Sequence, residues 1–225
     1  MYRLASFEKL LIPIILFIGF LIGCRILYSG SWLFVFLSWN IFLAWIPFRI
    51  SHHLAKTGEH QKRKQFLLFV AWLLFFPNAL YIITDLIHLD IDSKVPKWFD
   101  AILLFASSTV GLLMAFVSLY RVERMLSKWV NKKWLSPVIL LILFLGSFGV
   151  YLGRFLRWNS WDIITHPFAL LATIAQRFIF PMEHLKTWGM TGILTVFFYL
   201  MYGVMKAFRW GHDGFPPSDP LTKAS

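Results

Sequence analysis

Residues 66–92 read FLLFVAWLLFFPNALYIITDLIHLDID, and this stretch decides the fold class. Its first half is apolar, while its second half carries polar residues at steps of three and four: Asn78, Tyr81, Asp85, His88 and Asp92. On a helix this spacing places the polar side chains along one face. The apolar half is suited to lipid, where an ionisable side chain is a candidate functional residue by default. The stretch therefore predicts a membrane span over residues 66–88 with a candidate site at one end.

The composition assigns the whole chain to the class of membrane proteins. Of its 225 residues, 58% are hydrophobic and 15% are charged, and the mean hydropathy is +0.66. Soluble domains average about 45–50% apolar and about 25% charged residues, so the excess apolar surface must face lipid. The motifs of common soluble enzymes, such as Gly-x-Ser-x-Gly, a lysine-bearing phosphate loop and His-Glu-x-x-His, are absent.

Blocks of apolar sequence predict an all-α polytopic membrane protein with six transmembrane helices. A helix of about 20 residues crosses the ~30 Å hydrocarbon core at 1.5 Å per residue. Residues 162–180 are amphipathic instead, which predicts an interfacial or re-entrant helix at the outer face, with seven spans as the alternative. The predicted spans are residues 10–27, 32–48, 66–88, 101–120, 135–152 and 188–208, within one helical membrane domain over residues 1–210, and residues 211–225 form a disordered tail.

The basic residues concentrate in two segments, 49–64 and 121–133, and the chain has a net charge of +11. By the positive-inside rule both segments are cytoplasmic, as are both termini. We expect their partners to be anionic membrane lipids and not nucleic acid. The segment 89–100 is acidic, which agrees with an extracytoplasmic position.

The single cysteine, Cys24, ends the sequence Leu21-Ile22-Gly23-Cys24, which resembles the lipobox of bacterial lipoprotein signal peptides. The alternative is an uncleaved first helix with a buried thiol. We favour the uncleaved helix because no polar mature domain follows and Arg25 is adjacent. One cysteine excludes an internal disulfide.

A second polar cluster, GRFLRWNSWDIITHP, occupies residues 153–167 after the fifth span. Near the outer membrane boundary, a desolvated arginine of this cluster and a desolvated Asp85 each need a partner, so we expect the two clusters to meet. The polar residues at four-residue steps are Arg154, Trp158, Asp162 and His166, and Arg157 and Asn159 lie beside them.

Three interpretations of the two clusters remain open. In the first, ion pairs from Arg25, Arg154 or Arg157 to the acidic and histidine residues fix the helices. In the second, a cleft at the outer face binds an anionic lipid or a lipid-linked head group. There the arginines hold phosphate and Trp158 and Trp161 contact the acyl or sugar part. The other residues assigned to binding are Asn78, Tyr81 and Asn159.

The second interpretation has a catalytic form, in which His88 or His166 is a general base assisted by Asp85 or Asp162. In the third interpretation the same four residues bind a divalent metal, as a weaker alternative, because carboxylate and imidazole are zinc ligands. A small-solute transporter is a further alternative, since Pro77 and Asn78 resemble the broken helices of transport sites. No cofactor is identified and the oligomeric state is open.

The pairing of PNALYIITDLIHL with GRFLRWNSWDIITHP resembles a family of uncharacterised bacterial integral-membrane proteins, known as a domain of unknown function. The resemblance runs from the second span to the last. It implies a multi-pass protein of the bacterial cytoplasmic membrane and implies no activity.

Overall fold

The computed structural model describes residues 2–58, 60–90, 94–158 and 161–213, and the regular structure in these ranges is entirely helical. Short 3-10 helices cover Leu33–Val35, Ile82–Asp90 and Pro181–His184. The α-helices are α1 (Tyr2–Ser29), α2 (Phe36–Lys56), α3 (Lys62–Tyr81), α4 (Lys97–Leu126), α5 (Lys132–Leu156), α6 (Asp162–Thr165), α7 (Pro167–Ile179) and α8 (Leu185–Asp213).

Six helical segments of the described chain are long and apolar enough to cross a membrane, which confirms the six-span prediction. α7 has 13 residues and is therefore about 20 Å long, too short for the ~30 Å hydrocarbon core. The six segments are Lys9–Ser29, Leu33–Lys56, Lys62–Leu89, Lys97–Leu126, Lys132–Leu156 and Pro181–Ala207.

Several helices extend beyond the predicted span ends. α2 continues past residue 48 to Lys56, and α4 continues past residue 120 to Leu126. Long cationic side chains explain this extension, because they can remain on a helix while their charge reaches water or head groups. α8 continues to Asp213, two residues past the predicted start of the tail at residue 211, and residues 214–225 lie outside the described part of the chain.

The sequence predicted one continuous helix for the polar stripe, but in the structure the stripe is divided between two kinds of helix. α3 ends at Tyr81, and a 3-10 helix follows over Ile82–Asp90. A 3-10 helix has three residues per turn, so Asp85 and His88 still share an edge. The sequence could not distinguish the two helix types, because a step of three fits both. Asp92 lies outside the described residues.

α4 is the central helix. Two thirds of its spanning window (67%) is buried, against 22–44% for the other five spans. α2 and α3 pack against it, and the Trp72 indole of α3 donates a hydrogen bond to Ser118 of α4 at 3.3 Å. The Ser108 hydroxyl also donates to the Ile82 carbonyl at 3.1 Å, which ties the start of the 3-10 helix to α4.

Three glycines on α5 allow α3 to approach closely. A Cβ atom at Gly149 would lie 2.6 Å from Cγ of Pro77, and one at Gly146 would lie 2.9 Å from Cδ1 of Leu80. Small residues at such positions are typical of helix contacts in membranes. This register sets α5 alongside α3 with both helices pointing the same way, so the residues that follow Gly153 lie beside the end of α3.

The two ends of the bundle differ in charge. At the basic end, Arg121 of α4 donates to the Phe48 carbonyl of α2 at 3.1 Å, and Lys62 lies 5.6 Å from the centre of the Trp129 ring. At the opposite end, here called the aspartate end, lie Asp85 and Asp100.

Candidate functional site

Asp85 is the centre of the polar network at the aspartate end. Its side chain is 1% exposed. One carboxylate oxygen, Oδ2, accepts a hydrogen bond from Asn40 Nδ2 at 2.7 Å, and the other, Oδ1, forms an ion pair with Nη2 of Arg154. Asp85 thereby joins α2, the 3-10 helix and α5. The expected meeting of the two polar clusters is confirmed at this ion pair.

Arg154 makes two further contacts. Its Nε donates to Oγ1 of Thr84 at 2.8 Å, and its guanidinium carbon lies 4.4 Å from the centre of the Tyr81 ring. The Nε–Nη2 edge is therefore occupied by Thr84 and Asp85. A bidentate grip on phosphate by this edge, as the sequence suggested, would require both protein contacts to break.

A second buried ion pair lies at the same end. Arg25 donates from Nε and Nη2 to the two carboxylate oxygens of Asp100 at 2.8 and 3.1 Å, and its guanidinium lies 3.9 Å from the centre of the Phe34 ring. The structural interpretation gave Arg25, Arg154 or Arg157 as partners of the two polar clusters; Arg154 pairs with Asp85, and Arg25 pairs with Asp100 instead. The reason is the packing of α1 against α4, which brings Asp100 to Arg25.

The predicted catalytic residues are not arranged as two carboxylate–histidine pairs. His88 Nδ1 lies 3.2 Å from the backbone carbonyl of Asp85, and its ring packs at 4.9 Å from that of Phe36. His166 is 68% exposed, with Nδ1 at 3.0 Å from Thr165 Oγ1 and 3.8 Å from Asp162 Oδ1. His88 thus contacts the backbone of Asp85, while the carboxylate of Asp85 contacts Arg154 and Asn40.

The four residues of the metal hypothesis do not come together in one cluster. No group of three or more His, Cys, Asp or Glu side chains that could hold a metal ion occurs within the described ranges, which include Asp85, His88, Asp162 and His166.

A cavity of about 460 Å³ lies beside the network. α3 forms its floor, α2 and α5 form its sides, and Ile163 and Leu170 approach its outer part. Trp39, Val70 and Leu145 are exposed lining residues, so the cavity opens on the side of the bundle, and we call it the lateral groove. It is lined by Trp39, Asn40, Leu43, Val70, Leu73, Leu74, Pro77, Asn78, Tyr81, Leu145, Gly149, Leu152, Gly153, Trp158, Ile163 and Leu170.

The lining of the groove is mostly apolar, whereas the sequence suggested a cleft lined by arginine, aspartate and histidine. Of the predicted binding residues, Asn78, Tyr81 and Trp158 line it. Asn78 also donates to the Phe75 carbonyl at 3.1 Å, next to Pro77, where a backbone donor is missing. Asn40 and Tyr81 connect the groove to the polar network, because each lines the groove and also contacts Asp85 or Arg154.

Arg157 ends α5 with a left-handed backbone conformation, φ 60° and ψ 27°. This conformation is uncommon for residues other than glycine and is typical of helix ends. The side chain of Arg157 is exposed, and the next residue, Trp158, lines the groove. Asn159 lies outside the described residues.

Sequence reasoning did not assign Asn40, Thr84 or the glycines of α5 to the site. The signal for Asn40 was its amide within an otherwise apolar segment. The signal for the close helix contact was the spacing of Gly146, Gly149 and Gly153 along one side of α5. Thr84 gave no signal of its own.

The chain matches one family model over residues 39–201, and the description of that family is "Protein of unknown function (DUF1361)". The chain belongs to this family. No curated protein and no solved structure matches the chain. The matched residues include Asn40, Asp85 and Arg154, and they also include every residue that lines the lateral groove. Arg25 lies outside the match.

Proposed function

We propose that this protein binds an anionic lipid of the outer leaflet, with a hydrocarbon chain in the lateral groove and the head group beside Arg157. The observation that carries this proposal is the groove itself, a cavity of about 460 Å³ on the side of a membrane-spanning bundle. A void on such a surface forfeits the dispersion contacts that a hydrocarbon chain would provide.

The apolar part of the groove supplies fit and little selectivity. Its deeper lining includes Leu43, Val70, Leu73, Leu74 and Leu145. A lipid chain that moves from the bilayer into the apolar groove stays in a hydrocarbon environment, so the hydrophobic effect does not drive its binding. Discrimination between lipids therefore has to come from the polar end, where Asn40, Tyr81 and Trp158 lie.

The charges at the polar end favour an anion. An unpaired Asp85 carboxylate would repel a phosphate, but the ion pair with Arg154 neutralises it. Arg157 is exposed next to the groove and contributes a positive charge that no described ion pair offsets. Trp39 and Trp158 provide amphipathic rings of the kind enriched at membrane–water interfaces. We assign the Asp85–Arg154 pair to the scaffold and Arg157 to head-group contact.

α7 belongs to the same proposal as an interfacial helix that flanks the groove. Leu170 is its buried residue and lines the groove, while Phe168, Leu171 and Ile179 are exposed apolar residues of the same helix. A helix too short to cross, with exposed apolar side chains, is stabilised by lying in the head-group region.

Native mass spectrometry tests the proposal. The purified protein is incubated in detergent with equimolar phosphatidylglycerol and phosphatidylcholine that carry the same acyl chains, and the retained lipids are counted. We expect one retained phosphatidylglycerol in preference to phosphatidylcholine, and we expect Arg157→Gln to reduce the preference about fivefold, because one cation at a membrane surface contributes about 1 kcal/mol.

Arg124→Gln is the matched control, because Arg124 is also exposed but lies at the basic end, near the end of α4. It should leave the preference unchanged. No retained lipid, or equal losses in the two variants, would contradict the proposal.

A further inference from the structure

We infer that the contact between α5 and α8 contains a binding site for water, formed by the hydroxyls of Ser147, Thr187 and Thr191 and by the indole N–H of Trp188. None of these residues lines the lateral groove, and the inference does not depend on the proposed lipid binding. It follows from the hydrogen bonds of the buried polar side chains, from the register of the two helices and from the cost of an unpaired polar group inside a membrane protein.

The four polar atoms are buried and have no hydrogen-bond partner within the described part of the chain. Ser147 and Thr191 are fully buried, and Thr187 is 1% exposed. A serine or threonine on a membrane helix commonly donates to a carbonyl three or four positions earlier. Ser107 and Thr195 do so, at 2.8 and 2.6 Å. The three hydroxyls of the site make no such bond, so their hydrogen-bonding capacity remains for another partner.

This group differs from the other unpartnered atoms of the described residues. Three further side chains contain one buried atom without a partner, but in each of them a second polar atom is bonded; they are Arg25, Gln65 and Arg177. A serine, a threonine or a tryptophan has a single polar atom in its side chain. The four side chains between α5 and α8 are therefore wholly unsatisfied by protein groups.

Two contacts fix the register of α5 against α8. The hydroxyls of Ser136 and Tyr199 lie 2.8 Å apart, and the rings of Phe148 and Trp188 lie 5.8 Å apart and nearly parallel. Residue numbers rise along α5 between these contacts and fall along α8. The two helices therefore run in opposite directions, with Phe148 and Trp188 towards the aspartate end.

The register brings the unpartnered hydroxyls together. Ser147 lies eleven positions after Ser136, which is close to three turns of 3.6 residues, so it is on the side of α5 that contacts α8. Ser147 directly precedes Phe148, and Thr187 directly precedes Trp188, so these two hydroxyls lie at the same level. Thr191 follows one turn along α8, about 6 Å away at 1.5 Å per residue.

Water is the ligand that fits these groups. Each hydroxyl can donate and accept, whereas the indole only donates, and no charged side chain belongs to the group. A buried ion would therefore lack a charged partner, at a large cost in free energy. A water molecule with bonds of about 2.8 Å on two sides spans about 5.6 Å, close to one helical turn. Buried waters in proteins make about three hydrogen bonds to groups of this kind.

The water site lies in the main attachment of α8 to the bundle, because α5 is the helix that α8 contacts most extensively. A bridging water joins two polar groups nearly as well as a direct hydrogen bond. It also removes the penalty of leaving buried hydroxyls unpaired, which inside a membrane protein has no other remedy than a protein or water partner.

Thermal unfolding in detergent of the wild type, Ser147→Ala, Thr191→Val and the double variant tests the inference. Valine has nearly the shape of threonine, so Thr191→Val removes a hydroxyl without opening a cavity. A single change leaves the water and the remaining groups short of a partner, and we expect the unfolding temperature to fall by about 2–4 °C. The double variant should lose less than the sum, because both changes disrupt the same bridge.

Thr195→Val is the matched control, because Thr195 is buried one turn further along α8 and its hydroxyl bonds within its own helix. It should leave the unfolding temperature nearly unchanged. A contact without water predicts the opposite of our expectation, because removal of an unpaired buried hydroxyl then raises the unfolding temperature. Such a rise in Ser147→Ala and Thr191→Val, additive losses, or equal losses in Thr191→Val and Thr195→Val would overturn the inference.

Solid-state NMR in bilayers detects the water directly, with protein that carries isotope-labelled tryptophan. The indole signal of Trp188, identified by its loss in Trp188→Phe, should receive magnetisation from water. The indole of Trp72, which is buried and bonded to Ser118, should receive none. Thr191→Ser keeps a hydroxyl and should retain the transfer to Trp188, whereas Thr191→Val should reduce it. Absence of transfer to Trp188 in the wild type would overturn the inference.

Discussion

Arg154 of α5 forms an ion pair with Asp85 of the 3-10 helix, and 69 positions of sequence separate the two residues. Two other residues complete the arrangement, since Asn40 occupies the second carboxylate oxygen and Thr84 accepts from Nε of the arginine. The pair therefore connects the ends of three membrane helices and satisfies the buried carboxylate from two sides. This connection fixes the polar end of the lateral groove.

Replacing Arg154 should destabilise the protein strongly. Arg154→Gln leaves the carboxylate of Asp85 buried with Asn40 as its remaining partner, and the loss of one member of a buried ion pair costs about 3–5 kcal/mol. Asp85→Asn together with Arg154→Gln should cost less than the sum of the two single changes, because the double variant buries no unpaired charge. Thermal unfolding in detergent of the four proteins measures this coupling. Additive effects would show that the pair makes no energetic contribution of its own.

The close approach of α5 to α3 makes Gly149 sensitive to a single methyl group. In Gly149→Ala the new Cβ would lie 2.6 Å from the rigid ring of Pro77, so the helices must separate, at a cost of about 1–3 kcal/mol. We expect a lower unfolding temperature. Gly192→Ala on α8 is the control, because a Cβ there meets no atom within 4 Å and should leave the unfolding temperature unchanged or slightly raised. Equal effects of the two substitutions would contradict the assigned helix contact.

The Arg25–Asp100 pair should hold α1 against α4. Cys24, the residue before Arg25, is half-buried and reports on this contact through its reactivity with N-ethylmaleimide. In Arg25→Ala and in Asp100→Asn we expect Cys24 to react at least about tenfold faster than in the wild type, because a loss of 1.4 kcal/mol already changes an equilibrium by a factor of ten.

Arg124→Ala serves as the control for this measurement, because Arg124 lies at the basic end of α4 and should leave the rate unchanged. The measurement also requires a free thiol at Cys24 in the wild type. The uncleaved first helix predicts such a thiol, whereas a processed lipobox would carry lipid on this cysteine. Rates that do not change in either variant would mean that α1 is held by its apolar contacts alone.

The sequence predicted the spans well and the site only in part, for reasons that the polar residues illustrate. Hydropathy and helix length are local properties, so six spans could be counted from residue types alone. The charge of Asp85 predicted an arginine as its partner. The contacts of Asn40 and Thr84 with this pair could not be predicted, because they depend on the rotation of α2 and on the change to a 3-10 helix at Ile82. Likewise the groove arises from the separation of α2 and α5 on α3, which no single segment encodes.

Six spans and the basic loops together predict which end of the bundle faces the cytoplasm. Lys94→Cys and Ser127→Cys, each made in a Cys24→Ser chain, place exposed thiols at the aspartate end and at the basic end. A membrane-impermeant maleimide added to intact cells should label the thiol at position 94, and should label the one at position 127 only after the membrane is permeabilised. The opposite pattern would invert the topology and place the polar end of the groove, with Arg157, in the cytoplasmic leaflet. Labelling of both thiols in intact cells would contradict a membrane-spanning α4, because its 30 residues separate the two positions by about 45 Å of helix.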